Sequence, residues 1–295
     1  LIPGFVIVVR FQPEGDNDFL GVKVNGELIK DSLFFVTTDA TVEAVFGQQQ
    51  PAEKVIRFTV KPGITSGYAF AADQPNTPVY IDWGDGDLQE GTLSNSEWTW
   101  FDHQTEGTTV SVYGDVTYVN VMSLPGFGTD NQIEAIDLSG NSGLHQLNAY
   151  FNLLKSIDVS NQQELVSLDI SMNEDIEQLD VTNCPLLREL AAYGTFIEQL
   201  DLSKNTQLEE VDVKNTQIDS ICVKNAPNLM LLNVTNNYLS SLDVTSNPLL
   251  MILEANGNEI ERLDLSKNTY LISLSASKNK LTRLDLSKNL MLQNR

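Results

Sequence analysis

The hexapeptide LDLSKN stands at 200–205, 263–268 and 284–289, with looser copies at 136–141 (IDLSGN), 157–162 (IDVSNQ), 179–184 (LDVTNC) and 242–247 (LDVTSN). The leading apolar residues Ile136, Ile157, Leu179, Leu200, Ile221, Leu242, Leu263 and Leu284 recur every 21 residues, with one step of 22. Self-similarity at a short fixed period predicts a solenoid, in which each coil buries its apolar side against its neighbours. Between these copies lies a second unit of the same design, led by Leu147, Leu168, Leu190, Val211, Leu232, Leu253 and Leu274 and written LxxLxLxxNxL, as in LISLSASKNKL at 271–281. Residues two apart on a strand share a face, so the Leu-x-Leu pair points inward. The Asn five residues after the leading residue is expected to turn the chain. Its amide would bond backbone groups inside the bend, and its backbone tolerates the left-handed conformation.

These motifs resemble the bacterial leucine-rich repeat proteins of the 21-residue class called IRREKO, whose repeat nests two near-identical half-units. The resemblance covers residues 129–295 and implies that the LxxLxLxxNxL half supplies a concave sheet and the LDLSxN half the opposite side. Departures are local: Thr195 and Thr216 replace the turn Asn, Cys184 and Ala226 do so on the other side, and Cys222 replaces an Asp.

The preceding residues are short strands punctuated by Gly, Pro, Asn and Asp. In 1–50, strands are expected at 6–11, 19–24, 33–36 and 41–46, with a hairpin at Asn25-Gly26, where both residues tolerate positive φ. Gln48-Gln49-Gln50-Pro51 reads as a linker. In 51–128, strands are expected at 55–60, 78–83, 97–101, 108–113 and 116–121. IDWGDGD at 81–87 resembles the WDFGDG signature of polycystic-kidney-disease (PKD) domains, which are immunoglobulin-like sandwiches; HQTEGTTVSV at 103–112 is a degraded form of their second landmark. That resemblance implies a spacer or adhesive module. The expected fold class is therefore mostly β: a leucine-rich repeat solenoid preceded by one or two small antiparallel Ig/PKD-like modules.

Forty acidic residues against 18 basic ones give a net charge of −22, which repels phosphate backbones and anionic lipid. Neither nucleic acid nor membrane insertion is expected, and there is no apolar stretch of about 20 residues. LIPGFVIVVRF at 1–11 lacks the basic start and cleavage site of a signal peptide and reads as a strand, any export signal having been removed upstream. Cys184 and Cys222 lie two coils apart and out of phase, so both are expected to be unpaired, with Cys184 in the core. The last coil carries Leu281, Leu284, Leu286 and Leu292 without a polar closing segment, so either the chain is expected to continue or the edge after Leu284 is expected to be covered by another molecule, self-association being one way.

Candidate binding residues come from the half-unit whose outward positions vary. Three and four residues after each leading residue stand Tyr150/Phe151, Ser171/Met172 and Tyr193/Gly194. Clustered apolar and aromatic side chains mark Tyr150, Phe151, Met172 and Tyr193 as a contact site, with packing against the neighbouring β module as the alternative. The column Asp137, Asp158, Asp180, Asp201, Asp243, Asp264 and Asp285 is expected to be structural, each Asp accepting donors from the adjacent coil; Ser or Thr recurs two residues later. Asp82, Asp85 and Asp87 could hold Ca²⁺, but turn-capping explains them. Trp98 and Trp100 share one side of a strand, either stacking on a sugar or filling the sandwich core. His103 and His145 are the only imidazoles, and they form no catalytic constellation with other residues.

The expected function is a non-enzymatic binding or adhesion protein with no cofactor, a protein partner and β modules as stalk. The alternative is a glycan-binding accessory of polysaccharide uptake or degradation. Its expected place is the cell surface of a Gram-negative bacterium, attached to the outer membrane as a lipoprotein.

Overall fold

The computed structural model describes residues 18–24, 27–29, 42–47, 54–124 and 130–292. The chain divides into two compact units, Leu1–Ala52 and Glu53–Arg295. All regular structure among the described residues is β, with no α-helix.

In the first unit, β1 (Asp18–Val24), β2 (Glu27–Ile29) and β3 (Val42–Gly47) form an antiparallel sheet in the order β2-β1-β3. Val24 pairs with Glu27, while the turn expected at Asn25-Gly26 lies outside the described residues. The strands expected at 6–11 and 33–36 and the linker at 48–51 lie outside the described residues.

The second unit opens with β4 (Val55–Thr59), β5 (Thr65–Ala71), β6 (Thr77–Asp82), β7 (Leu88–Leu93), β8 (Thr99–Gln104), β9 (Thr109–Gly114) and β10 (Tyr118–Asn120). β11 (Ala135–Gly140) is the first hexapeptide copy. β12 (Gln146–Asn148), β13 (Ser167–Asp169), β14 (Glu189–Ala191), β16 (Glu210–Asp212), β18 (Leu231–Asn233), β19 (Ile252–Glu254) and β20 (Ser273–Ser275) are the LxxLxL strands. On the other side β15 (Gln199–Leu200) and β17 (Ser220–Ile221) pair in parallel, the only pairing between hexapeptide coils among the described residues.

Two layers enclose the first part of this unit. One is the sheet β11-β4-β9-β6-β7; the other is the end β10-β5-β8 of a ten-stranded sheet whose other seven strands, β12, β13, β14, β16, β18, β19 and β20, belong to the solenoid. Aromatic rings fill the space between them: Phe58 on β4 meets Tyr68 and Phe70 on β5 at 5.0 and 6.5 Å, Tyr68 meets Trp83 at 5.4 Å, and Phe70 meets Phe101 at 6.1 Å. The expected boundary at 128/129 falls between β10 and β11. The strands cross it, since β10 pairs in parallel with β12, and β11 pairs antiparallel with β4. Buried Asn131 stitches the joint: its Oδ1 accepts Gly67 N–H at 2.9 Å and its Nδ2 donates to the carbonyls of Gly67, Val121 and Met122.

Within the solenoid the Leu-x-Leu pairs point inward as expected. Leu147/Ala149, Leu168/Ile170, Leu190/Ala192, Val211/Val213, Leu232/Val234 and Leu253/Ala255 are all buried. Each fully buried aliphatic side chain contributes about 1.5–3 kcal/mol before entropy is charged against it. Two ladders of asparagine hold successive coils together. Asn173, Asn237, Asn258 and Asn279 each donate Nδ2 to a carbonyl of the preceding coil, at Ala149, Val213, Val234 and Ala255. On the opposite side Asn205, Asn247, Asn268 and Asn289 donate to Val181, Val223, Val244 and Leu265. The expectation that this Asn takes the left-handed turn conformation is corrected by one residue. Positive φ falls just before it, at Phe151, Met172, Gly194, Asn215, Asn236, Gly257 and Lys278. The Asn is instead drawn into the coil to satisfy carbonyls that water cannot reach.

Cys184 and Cys222 are free, and Cys184 fills a buried ladder position with its Sγ 3.6 Å from the Val159 carbonyl; burial raises its pKa to about 11. At the far end β20 pairs only with β19 among the described residues, and Leu274, Ala276, Leu281 and Leu284 border an open hollow of about 400 Å³.

Candidate functional site

The outer face of the ten-stranded sheet can be read across it from the pairing register. One row runs Trp100–Ala69–Asn120–Asn148–Asp169–Ala191–Asp212–Asn233–Glu254. A parallel row runs Tyr118–Gln146–Ser167–Glu189–Glu210–Leu231–Ile252. The residue between the two rows on each strand, Val119, Leu147, Leu168, Leu190, Val211, Leu232 and Leu253, is buried, so both rows face outward. The face therefore continues from the solenoid onto β10, β5 and β8.

The four residues picked from sequence meet at one edge of this face. The Tyr150 ring lies 5.9 Å from Phe151 and 6.0 Å from Tyr193, and the Met172 side chain packs at Gly194. Burial, and a hydrogen bond that the neutral Tyr193 hydroxyl donates to Tyr150, push the Tyr193 phenol well above its ordinary range. Lys214 sets its ammonium 4.3 Å from the centre of the Tyr193 ring and 3.1 Å from Asp212 Oδ2.

Beside this cluster is an open hollow of about 280 Å³, bordered by Asp169, Glu189, Ala191, Glu210 and Asp212. It exists because Ala191 stands in register between two aspartates. Desolvation raises the pKa of Asp169, even though Ser171 N–H donates to its Oδ1 at 2.9 Å; the charge of Asp212 adds to the effect. Sequence reasoning passed over these residues because it looked three and four places beyond each leading residue. The same arithmetic one place to either side would have found them.

The aspartate column is also corrected. Asp137, Asp158, Asp180, Asp201, Asp243, Asp264 and Asp285 each accept the N–H of the Ser or Thr two residues later in the same coil, at 2.8–3.0 Å, rather than a donor from the adjacent coil. These side chains are exposed. Hydrogen bonds from Ser or Thr hold their carboxyls below the ordinary range.

Trp98 and Trp100 do not fill the sandwich: they are 36% and 59% exposed, Trp98 packing edge-on against Tyr118 at 6.5 Å. Phe101 takes the inward place on that strand. Asp82 caps its turn as expected, its Oδ1 accepting Gly84 and Gly86 N–H at 2.8 and 3.0 Å, while Asp85 accepts Asp87 N–H. Among the described residues no group of three or more His, Cys, Asp or Glu is arranged to hold a metal. His103 stacks on Trp83 at 5.7 Å, and His145 Nδ1 lies 3.1 Å from Asp73 Oδ1 with its ring on Tyr118. Among the described residues no helix is long and apolar enough to cross a membrane.

The solenoid path is shared with solved structures. The functional domain of InlJ from Listeria monocytogenes, described as including a cysteine ladder, superposes with a TM-score of 0.53 at 28% identity, over 60% of this chain and 43% of that one. The fold is that of bacterial leucine-rich repeat proteins. Internalin C2 from the same species gives a TM-score of 0.53 at 17% identity, over 60% of this chain and 79% of its own. The leucine-rich repeat chain described here spans less than half of the InlJ domain. No family model and no curated protein matches it.

Proposed function

We propose that this is a non-enzymatic binding protein displayed on the bacterial cell surface. In this reading the repeats are of the 21-residue class, residues 51–128 are a PKD-like module, and the β modules act as a stalk. The sheet face holds a protein partner, and Tyr150, Phe151, Met172 and Tyr193 are contact residues.

One observation carries this reading. Phe151 and Met172 have φ of 54° and 59°, at the turn position that four of the following coils give to Gly194, Asn215, Asn236 and Gly257. A side chain there costs about 1–2 kcal/mol. The Phe151 ring is still 39% exposed, so burial offsets only part of the cost. Bulky residues held in this conformation cluster at ligand sites.

A random peptide library displayed on phage and selected on the immobilised protein tests the assignment. Selected peptides are expected to lose binding to the Tyr150→Ala/Tyr193→Ala protein and to Phe151→Asn, with both variants folded. Undiminished binding to both would remove the patch from the contact surface.

A second reading is favoured by the exposure of Trp98 and Trp100, with Asn120 and Asn148 two and three strands from Trp100 along the same row: an aromatic platform with amide donors could hold a glycan. A glycan array with Trp100→Ala as control tests it.

A further inference from the structure

We propose that the outer face from Trp100 to Ile252 is a single docking surface for a polypeptide segment that carries basic side chains flanked by large apolar ones. This names the partner chemistry of the surface assigned above and rests on that assignment.

The face has three zones. At one end Trp98, Trp100 and Tyr118 present aromatic rings from the β8–β10 part of the sheet. At the other, Leu231 and Ile252 stand in register and half-buried, with Met251 and Ile272 exposed along the strand edge. Between them Asp169, Glu189, Glu210 and Asp212 carry negative charge among the neutral Gln146, Asn148, Ser167 and Ala191. Asp169, Glu189 and Glu210 make no ion pair among the described residues, whereas Asp212 is held by Lys214.

The chain shows on one wall of the central hollow what would complete the other. Lys214 places an ammonium against both the Tyr193 ring and the Asp212 carboxylate, the pairing of π-face and anion that a cation prefers. Asp169 forms the opposite wall, beyond Ala191, half-buried and partly desolvated, with no ion-pair partner among the described residues. An arriving ammonium or guanidinium would offset that desolvation, and a phosphate or carboxylate would aggravate it. The nine strands from β8 to β19, spaced about 4.8 Å apart, make a face roughly 40 Å across. An extended segment of about a dozen residues spans that distance. The apolar zones at either end supply the desolvated anchors that a run of charges lacks.

The probes are an alternating Lys–Leu peptide, an alternating Glu–Leu peptide and cellohexaose, each titrated against the full chain. The Lys–Leu peptide is expected to bind, more weakly as salt rises, and the other two are not. Asp169→Asn with Glu210→Gln should weaken the Lys–Leu complex about tenfold or more, and so should Trp100→Ala. Asp201→Asn with Asp264→Asn removes the same charge from the opposite side and should change nothing.

Equal loss with both charge pairs would mean general attraction to an acidic protein and would overturn the proposal. Equal binding of the Glu–Leu peptide would do the same, as would cellohexaose binding with no peptide binding, which favours the glycan reading. Binding lost in Tyr150→Ala/Tyr193→Ala but kept in the Asp169/Glu210 pair sinks this inference and leaves the earlier assignment standing. The reverse pattern supports this inference and removes the tyrosines from the site.

Discussion

The sulfur of Met172 lies 2.7 Å from the place where a β-carbon on Gly194 would stand, one coil further along the same turn column. The backbone of Gly194 is left-handed, with φ of 67°, and its missing side chain is the space the Met172 thioether uses. Coil three thus gives up a side chain so that coil two can present one.

Gly194→Ala should therefore cost about 1–2 kcal/mol in backbone strain, and should also move the Met172 side chain. Thermal melting reads the first effect, and the chemical shift of the Met172 methyl the second. An unshifted methyl would separate the two residues.

Asn268 is fully buried, and its Nδ2 donates at 2.9 Å to both Val244 and Asn247 carbonyls of the preceding coil. Each carbonyl also accepts a backbone N–H, so the loss of the amide weakens the satisfaction of both without stranding either. Asn268→Ala should destabilise the fold by about 1–3 kcal/mol in denaturant melts. Unchanged stability would mean that the ladder only follows the fold.

Asp169 has its pKa raised above the ordinary 3.8 by desolvation. A raised carboxyl contributes stability that is fully present below its unfolded pKa and is lost as pH rises through its folded one. At neutral pH the ionised group therefore costs stability. Asp169→Asn, which keeps an acceptor for the Ser171 N–H, should melt higher than the parent at pH 7 and lose that advantage below about pH 3.8. A variant less stable at pH 7 would show that the ionised carboxylate is well satisfied in the fold.

The solenoid was legible because its period is short and its inward residues are uniformly aliphatic. Its closure at the start was not. β5 reads TSGYAFA, and its outward Ala69 and Ala71 are as covered as its inward rings, so no alternation marks it as a strand. β7 contains Gly91, which reads as a break. In the fold it admits the Phe101 ring to within 2.5 Å of where a β-carbon would be. The exchange of β10 and β11 between sheets is a long-range pairing that no local pattern announces. Tyr150, Phe151, Met172 and Tyr193 stand out as candidates because they vary on a constant frame. The carboxylates around Ala191 were missed because Asp and Glu are common throughout this chain.

Trp100 and Tyr193 lie on different parts of the same sheet face, which makes them reporters on whether it works as one surface. Hydroxyl-radical labelling of these two side chains, with and without the Lys–Leu peptide, tests this most directly. Both should be protected together, while Tyr238 and Tyr270, exposed away from the two rows, label as before. Protection of Tyr238 or Tyr270 with Trp100 and Tyr193 unchanged would contradict the account.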